Sequence, residues 1–327
     1  MTVEDVLTVN NLKTYYYSSN KRVPAVDGVS FCLYKGEVLG IVGESGCGKS
    51  TIARSILDLL DKSYTKIEAG EIWFHGSDLL RLNAKELNKV RGKKISMIFQ
   101  NPQAALNPVY TVGDQISEVL LLHERMSRKN VKARVIELLR LVGIPAPETR
   151  LMDYPHQMSG GMQQRIVIAI ALACSPEVVI ADEPTTALDV TIQAQILDLM
   201  SRIKRQSQMG MILITHNMGV VAEMCDRVMV MYGGVVVEEG ATVDIFASPS
   251  HPYTQGLLAS IPSIEEDKAE LYSIPGTVPR FTAPVTHCRF AGRCPHAFGK
   301  CEQSEPPLLE LGNGHRARCW LLEDNTG

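Results

Sequence analysis

Apolar positions along the chain fall into two kinds of pattern. Short runs without alternation occur at EVLGIVG (37–43), at 178–181 and at 211–214. Apolar residues that continue over so few positions read as strands buried on both faces, as in parallel sheets. Elsewhere they recur at helical spacing. Val131, Val135, Leu138, Leu139 and Val142 of VKARVIELLRLV share one helix face. The longest run, 166–174, follows Ser159 in the position of a helix cap and predicts a largely buried helix. It is about half the length needed to cross a membrane. Near the end, SPSHPYTQGLLASIP (248–262) predicts a proline-punctuated turn and a short amphipathic helix.

Composition narrows the classes. The 327 residues are 45% hydrophobic and 21% charged, an ordinary globular balance with room for one large domain and a small one. A net charge of −3 argues against a dedicated nucleic-acid binder, which shows a basic excess. The N-terminal MTVEDVLTVNN carries acids where a secretory signal carries Lys or Arg and an apolar core. The chain is therefore expected in the cytoplasm, where stable disulfides are disfavoured.

Candidate chemistry sits where the buried runs end. EVLGIVG leads into GESGCGKST (43–51) and then IARSILDLL, which reads as strand, glycine loop and helix. That spacing sets successive backbone N–H groups around a polyphosphate at a helix N-terminus. Gly43, Gly46 and Gly48 allow backbone angles and close approach that a Cβ would block. Between and beside them, Glu44, Ser45, Cys47 and Thr51 complete the loop. Lys49 can reach the terminal phosphates, and the Ser50 hydroxyl is suited to Mg²⁺. Cys47 reads as a passenger open to alkylation. The 178–181 run ends in adjacent carboxylates, Asp182 and Glu183, whose side chains point different ways, one toward a metal and one toward water. His216 follows the 211–214 run, at the end of a parallel sheet where ligands of open α/β sheets bind.

Between these halves lies MSGGMQQR (158–165), which resembles the signature motif of ATP-binding-cassette (ABC) ATPases, with Met158 where Leu is usual. Gln100 in MIFQNP matches that family's Q-loop glutamine, and Asp189 in TALD its D-loop aspartate. His216 matches the switch histidine, and Asn217 stands where Asp is more usual. Tyr16 is the best match to the adenine-stacking aromatic, with Tyr15 and Tyr17 as alternatives. The resemblance implies an α/β fold: a RecA-like P-loop core, an antiparallel β subdomain and a helical signature subdomain at about 101–175, all within 1–248. It also implies roles. Lys49 and the glycines would hold the phosphates of ATP, and Ser50, Gln100 and Asp182 would organise Mg²⁺. Glu183 would serve as base or water-orienter, and His216 would contact the γ-phosphate. Ser159, Gly160 and Gly161 would reach the ATP of a second ATPase subunit in a head-to-tail dimer. The stretch after Gln100 would line the groove for a membrane subunit.

The tail stretch 248–262 resembles that of ATPase subunits from bacterial oligopeptide, dipeptide and nickel importers, which places 249–327 as an extension. The partners implied are a second, related ATPase, two integral membrane permease subunits and an extracytoplasmic peptide-binding protein. The implied location is peripheral, on the cytoplasmic face of the inner membrane, with no nucleic acid. Nickel import, or a non-transport ATPase acting on ribosomes or DNA, stands as the alternative. The extension carries Cys288, Cys294, Cys301 and Cys319 in the spacing C-x5-C-x6-C-x17-C. Zinc sites usually show closer pairs, while iron–sulfur clusters tolerate varied spacing and need four thiolates. The pattern resembles the extension of peptide-importer ATPases that holds a [4Fe–4S] cluster. Zinc, with His287, His296 or His315 as substitute ligands, is the alternative. Cys32, Cys47, Cys174 and Cys225 are expected as buried apolar fillers.

Overall fold

The computed structural model describes residues 4–18, 21–186, 188–261, 273–279 and 281–325. Ala187 of TALD, Pro262 of the tail stretch and residues 1–3 lie outside them. The chain divides into two compact units: Met1–Val6, Tyr34–Gly36 and Arg81–Leu213 in one, and Leu7–Leu33, Glu37–Leu80 and Ile214–Gly327 in the other.

The strands in chain order are β1 (Asp5–Ser18), β2 (Lys21–Tyr34), β3 (Val38–Val42), β4 (Thr65–Phe74) and β5 (Ser77–Asp78). Then come β6 (Ile95–Ile98), β7 (Val178–Asp182), β8 (Gly210–Thr215), β9 (Arg227–Tyr232), β10 (Val235–Ala241), β11 (Leu309–Gly312) and β12 (His315–Ala317). The second unit holds an antiparallel sheet in the order β2-β1-β4-β5. Its long strands alternate buried and half-exposed positions, as expected of a sheet covered on one face. The same unit pairs β3 with β9 in parallel, β9 with β10 antiparallel, and β10 with β12 and β12 with β11 antiparallel. All five residues of β3 are buried, so its strand needs no polar face and reads as one apolar run.

The first unit pairs β6 with β7 in parallel, Ile98 opposite Ala181. Its helices are Ala84–Val90, Pro102–Ala105, Val112–His123, Arg128–Leu141, Pro147–Arg150, Gly160–Leu172 and Val190–Gln206. Arg128–Leu141 buries Val131, Val135, Leu138 and Leu139, the face given by the spacing, and Ser127 caps its start. Its end is set by Gly143 at φ 75°, a left-handed residue whose N–H bonds back to Arg140 C=O. Gly160–Leu172 is buried on nearly every side and ends before Cys174. No helix among the described residues is long and apolar enough to cross a membrane.

Two expectations are corrected. The tail helix, Pro252–Ala259, is not amphipathic: Pro252, Tyr253, Thr254 and Gly256 are all buried. Two of its polar residues, Tyr253 and Thr254, are covered while Gln255 is exposed; Tyr253 packs edge-on to Tyr232 and tilted against Phe290, rings distant in sequence. The scattered cysteines also divide, since Cys47 and Cys225 are buried while Cys32 and Cys174 are only half-buried.

Candidate active site

In the second unit the glycine loop runs from β3 into the helix Lys49–Ile56. Gly43 has φ 148°, and a Cβ there would fall 2.2 Å from the Met231 carbonyl oxygen. Gly48 has φ 105° and leaves no more room, 2.1 Å from Ala25 O. Both positions therefore require glycine. Gly48 is the N-cap of the helix, and no side chain caps the first-turn N–H groups that Ser50 and Thr51 help to supply. Lys49 is buried and donates to the carbonyls of Gly43 (2.7 Å) and Glu44 (3.0 Å). Its cation is thereby held over the loop, beside N–H groups suited to an anion. Ser45 and Gly46 are exposed at the loop's tip. Cys47 is fully buried with its thiol 3.7 Å from Lys49 Nζ, and burial pushes its pKa up. It is thus not the alkylatable passenger expected from its place in the loop.

The tyrosine run resolves in the same unit. Tyr15 is buried and donates to Asp27 Oδ1 at 2.7 Å, and burial together with that carboxylate pushes its pKa up to about 12. Tyr17 donates to Glu68. Tyr16 stacks on Tyr64 with centroids 6.0 Å apart, and its hydroxyl lies 3.2 Å from Thr51 Oγ1, on the loop's own helix. Of the three, Tyr16 is the one whose hydroxyl reaches that helix. His216 is exposed just past β8, and Asn217 caps the following helix by accepting from the N–H groups of Gly219 and Val220. An amide caps as well as a carboxylate, which accounts for Asn at this position.

In the first unit β7 delivers Asp182, 2% exposed, and then Glu183 with φ 46°. A left-handed glutamate is uncommon, and such strain clusters at functional positions. Gln100 Nε2 donates to Glu183 Oε2 at 2.9 Å, and the Thr186 hydroxyl donates to the same oxygen at 2.8 Å. The carboxylate is thus oriented by two donors. Gln100 was expected from its motif but not its bond to Glu183, and Thr186 was not singled out at all, although it lies three residues along the same turn.

Ser159 caps Gly160–Leu172, its hydroxyl accepting from Met162 N–H. Ser159 and Gly160 are exposed, while Gly161 is backed by Ile192, which a Cβ would meet at 2.7 Å. Ile192 N–H in turn donates to Asp189, the exposed cap of Val190–Gln206. The signature stretch and Asp189 therefore brace each other.

The cysteine segment lies in the second unit. Cys288, Cys294, Cys301 and Cys319 are all free thiols. Cys288 N–H donates to Cys301 C=O at 2.9 Å, joining two turns of the segment. Burial pushes the Cys319 thiol up to about 11, and the thiols of Cys288, Cys294 and Cys301 push it the same way. Among the described residues, however, no group of three or more His, Cys, Asp or Glu stands in a geometry that could hold a metal ion. His287 and His296 are exposed, and His315 bonds Glu238 at 2.8 Å.

Comparison with known proteins adds to this geometry. Residues 26–186 match the family described as ABC transporter, and residues 237–301 match the oligopeptide/dipeptide transporter C-terminal region. The chain is 52% identical to the dipeptide transport ATP-binding protein DppD of Bacillus subtilis (strain 168), over 99% of this chain and 97% of that one. It is 44% identical to the DppD of Escherichia coli (strain K12), over 98% of each. A solved relative is the dimeric post-hydrolysis state of the ATP-binding cassette MJ0796 bound to ADP and Pi. The TM-score to it is 0.65 at 29% identity, covering 72% of this chain and 98% of that one.

Proposed function

Because the chain belongs to the ABC transporter ATPases, and to their oligopeptide/dipeptide branch, we propose that it is the ATP-hydrolysing, energy-coupling subunit of a membrane importer for di- and oligopeptides. Its strongest support is the match of residues 237–301 to the transporter C-terminal region, downstream of a full set of ATPase motifs in one chain. Residues 1–248 form the cassette and 249–327 the extension.

Lys49 and the N–H groups of 45–51 hold the phosphates, the Glu44 N–H being taken by the Tyr253 hydroxyl, and Tyr16 stacks on adenine. Ser50, Gln100 and Asp182 would hold Mg²⁺, which would supply charge neutralisation at the phosphates. Glu183, oriented by Gln100 and Thr186, takes the proton of the attacking water, and His216 donates to the γ-phosphate. Positioning and charge neutralisation carry most of the rate. Exposed Ser159 and Gly160 serve the nucleotide of a second ATPase subunit. Two permease subunits and an extracytoplasmic peptide-binding protein complete the importer, with this chain on the cytoplasmic face of the membrane.

A [4Fe–4S] cluster is proposed on donor type, four free cysteines in the extension, and not on geometry, since no group of three or more ligands stands in a metal-holding arrangement among the described residues. Cys288, Cys294, Cys301 and Cys319 would hold it. Buried thiols resist losing their protons, and a bound metal's charge reverses that preference.

The test is reconstitution with the permeases in proteoliposomes. Hydrolysis stimulated by binding protein loaded with a dipeptide is expected; stimulation by nickel alone would overturn the peptide assignment.

A further inference from the structure

The second residue of the glycine loop is a carboxylate, Glu44, next to a site suited to polyphosphate. An anion there opposes the ligand unless its charge is cancelled. Arg293, from the cysteine segment 249 positions away, cancels it with two bonds: Nη1 to Oε2 at 2.7 Å and Nη2 to Oε1 at 3.0 Å. The side chain of Arg293 is 7% exposed, against 28% for Glu44.

The arginine is itself fixed. Its Nε donates to Pro275 C=O at 2.8 Å, and its guanidinium lies 5.8 Å from the centroid of the Tyr232 ring. Glu44 is held at its main chain as well, where its N–H donates to the Tyr253 hydroxyl at 2.9 Å. Tyr253 is fully buried, and its own N–H is taken by His251 Nδ1 at 3.0 Å. None of these groups has a role in holding phosphate, metal or water in the reading given above.

We infer that Arg293 and Tyr253 are positioning residues for the glycine loop. By holding Glu44 at its carboxylate and at its N–H, they keep the loop in the form that receives phosphate and remove an opposing charge. Nucleotide affinity is thereby tied to the C-terminal segment. The inference rests on the proposed phosphate role of 45–51.

The test is equilibrium titration of the full chain with a non-hydrolysable ATP analogue and Mg²⁺, plus KM and kcat in the reconstituted importer. Arg293→Gln is expected to weaken binding about tenfold or more. KM should rise while kcat at saturation changes by less than about threefold. Arg293→Lys, which keeps the charge but not the paired bonds, should fall between. Adding Glu44→Gln to Arg293→Gln should restore affinity to within about threefold, because the uncancelled carboxylate is gone. A purely structural arginine would give no such rescue, and wild-type affinity in Arg293→Gln, or no rescue, overturns the inference. Should Arg293→Gln not fold, Tyr253→Phe decides: it keeps the ring and should weaken binding about fivefold, and unchanged affinity overturns the inference. Lys49→Ala separates the premise. If it too binds normally, the phosphate-loop reading falls and the inference with it; if only Lys49→Ala weakens binding, the inference alone fails.

Discussion

Glu183 occupies left-handed backbone at φ 46°, a conformation that costs a non-glycine residue about 1–3 kcal/mol. Bonds from Gln100 and Thr186 to one carboxylate oxygen hold it there. Glu183→Gln keeps an oxygen for both donors but loses the carboxylate proposed as base. We expect ATP still to bind while turnover falls about 10²- to 10⁴-fold; nucleotide titration beside single-turnover hydrolysis checks both halves. His251 gives a test by pH. Burial, with Arg318 nearby, lowers its pKa from 6.5 to about 3, and the ring stays neutral as acceptor for Tyr253 N–H. Below pH 6.5 the unfolded chain takes a proton that the folded chain refuses. Stability is therefore lost as pH falls from 6.5 toward 3, by up to about 1.4 kcal/mol per pH unit. His251→Asn, which retains a cap acceptor, should reduce that loss by about 2 kcal/mol between pH 6.5 and 5. Urea unfolding at pH 7 and pH 5 measures it, and equal acid sensitivity in the two proteins would count against a buried neutral histidine.

At the scale of elements, strands and helices with one dominant environment were readable. β3, β7 and β8 are buried at every residue, so an unbroken apolar run was a sufficient signal. Arg128–Leu141 has one buried face, and its spacing showed it. Leu138, fully buried on that face, gives the check: Leu138→Ala should cost about 2–5 kcal/mol, seen as a lower urea midpoint with an unchanged slope. Pro252–Ala259 misled for a definite reason. Its Thr254 and Tyr253 are as buried as its apolar residues, and the partners that bury them lie on β9 and beside Cys288. Periodicity reports an element's average surroundings, not partners contributed from elsewhere.

At the scale of the whole molecule the cluster proposal rests on the four free cysteines of the extension. Protein purified without oxygen should carry about four irons and four sulfides per chain, with Cys301→Ser losing the visible absorption. Stripping the metal with a chelator should lower the melting temperature and open 281–325 to protease, because so short a segment has little core of its own. One zinc without sulfide would overturn the cluster assignment and leave the ATPase untouched.

By itself the sequence marked the short buried strands, the glycine loop, the adjacent carboxylates and the capped helix after Ser159, and the resemblance they carry implied the class of fold. Those depend on short-range physics: glycine where a Cβ has no room, an apolar run that must be buried, a hydroxyl within reach of a helix's first N–H groups. Only the tertiary structure decided which tyrosine of three meets Thr51, that Gln100 donates to Glu183, and that Arg293 holds Glu44 across 249 positions. Such pairings join residues far apart in the chain. Nothing local distinguishes an arginine that will be buried against a distant carboxylate from one that will face water; folding sets that distance.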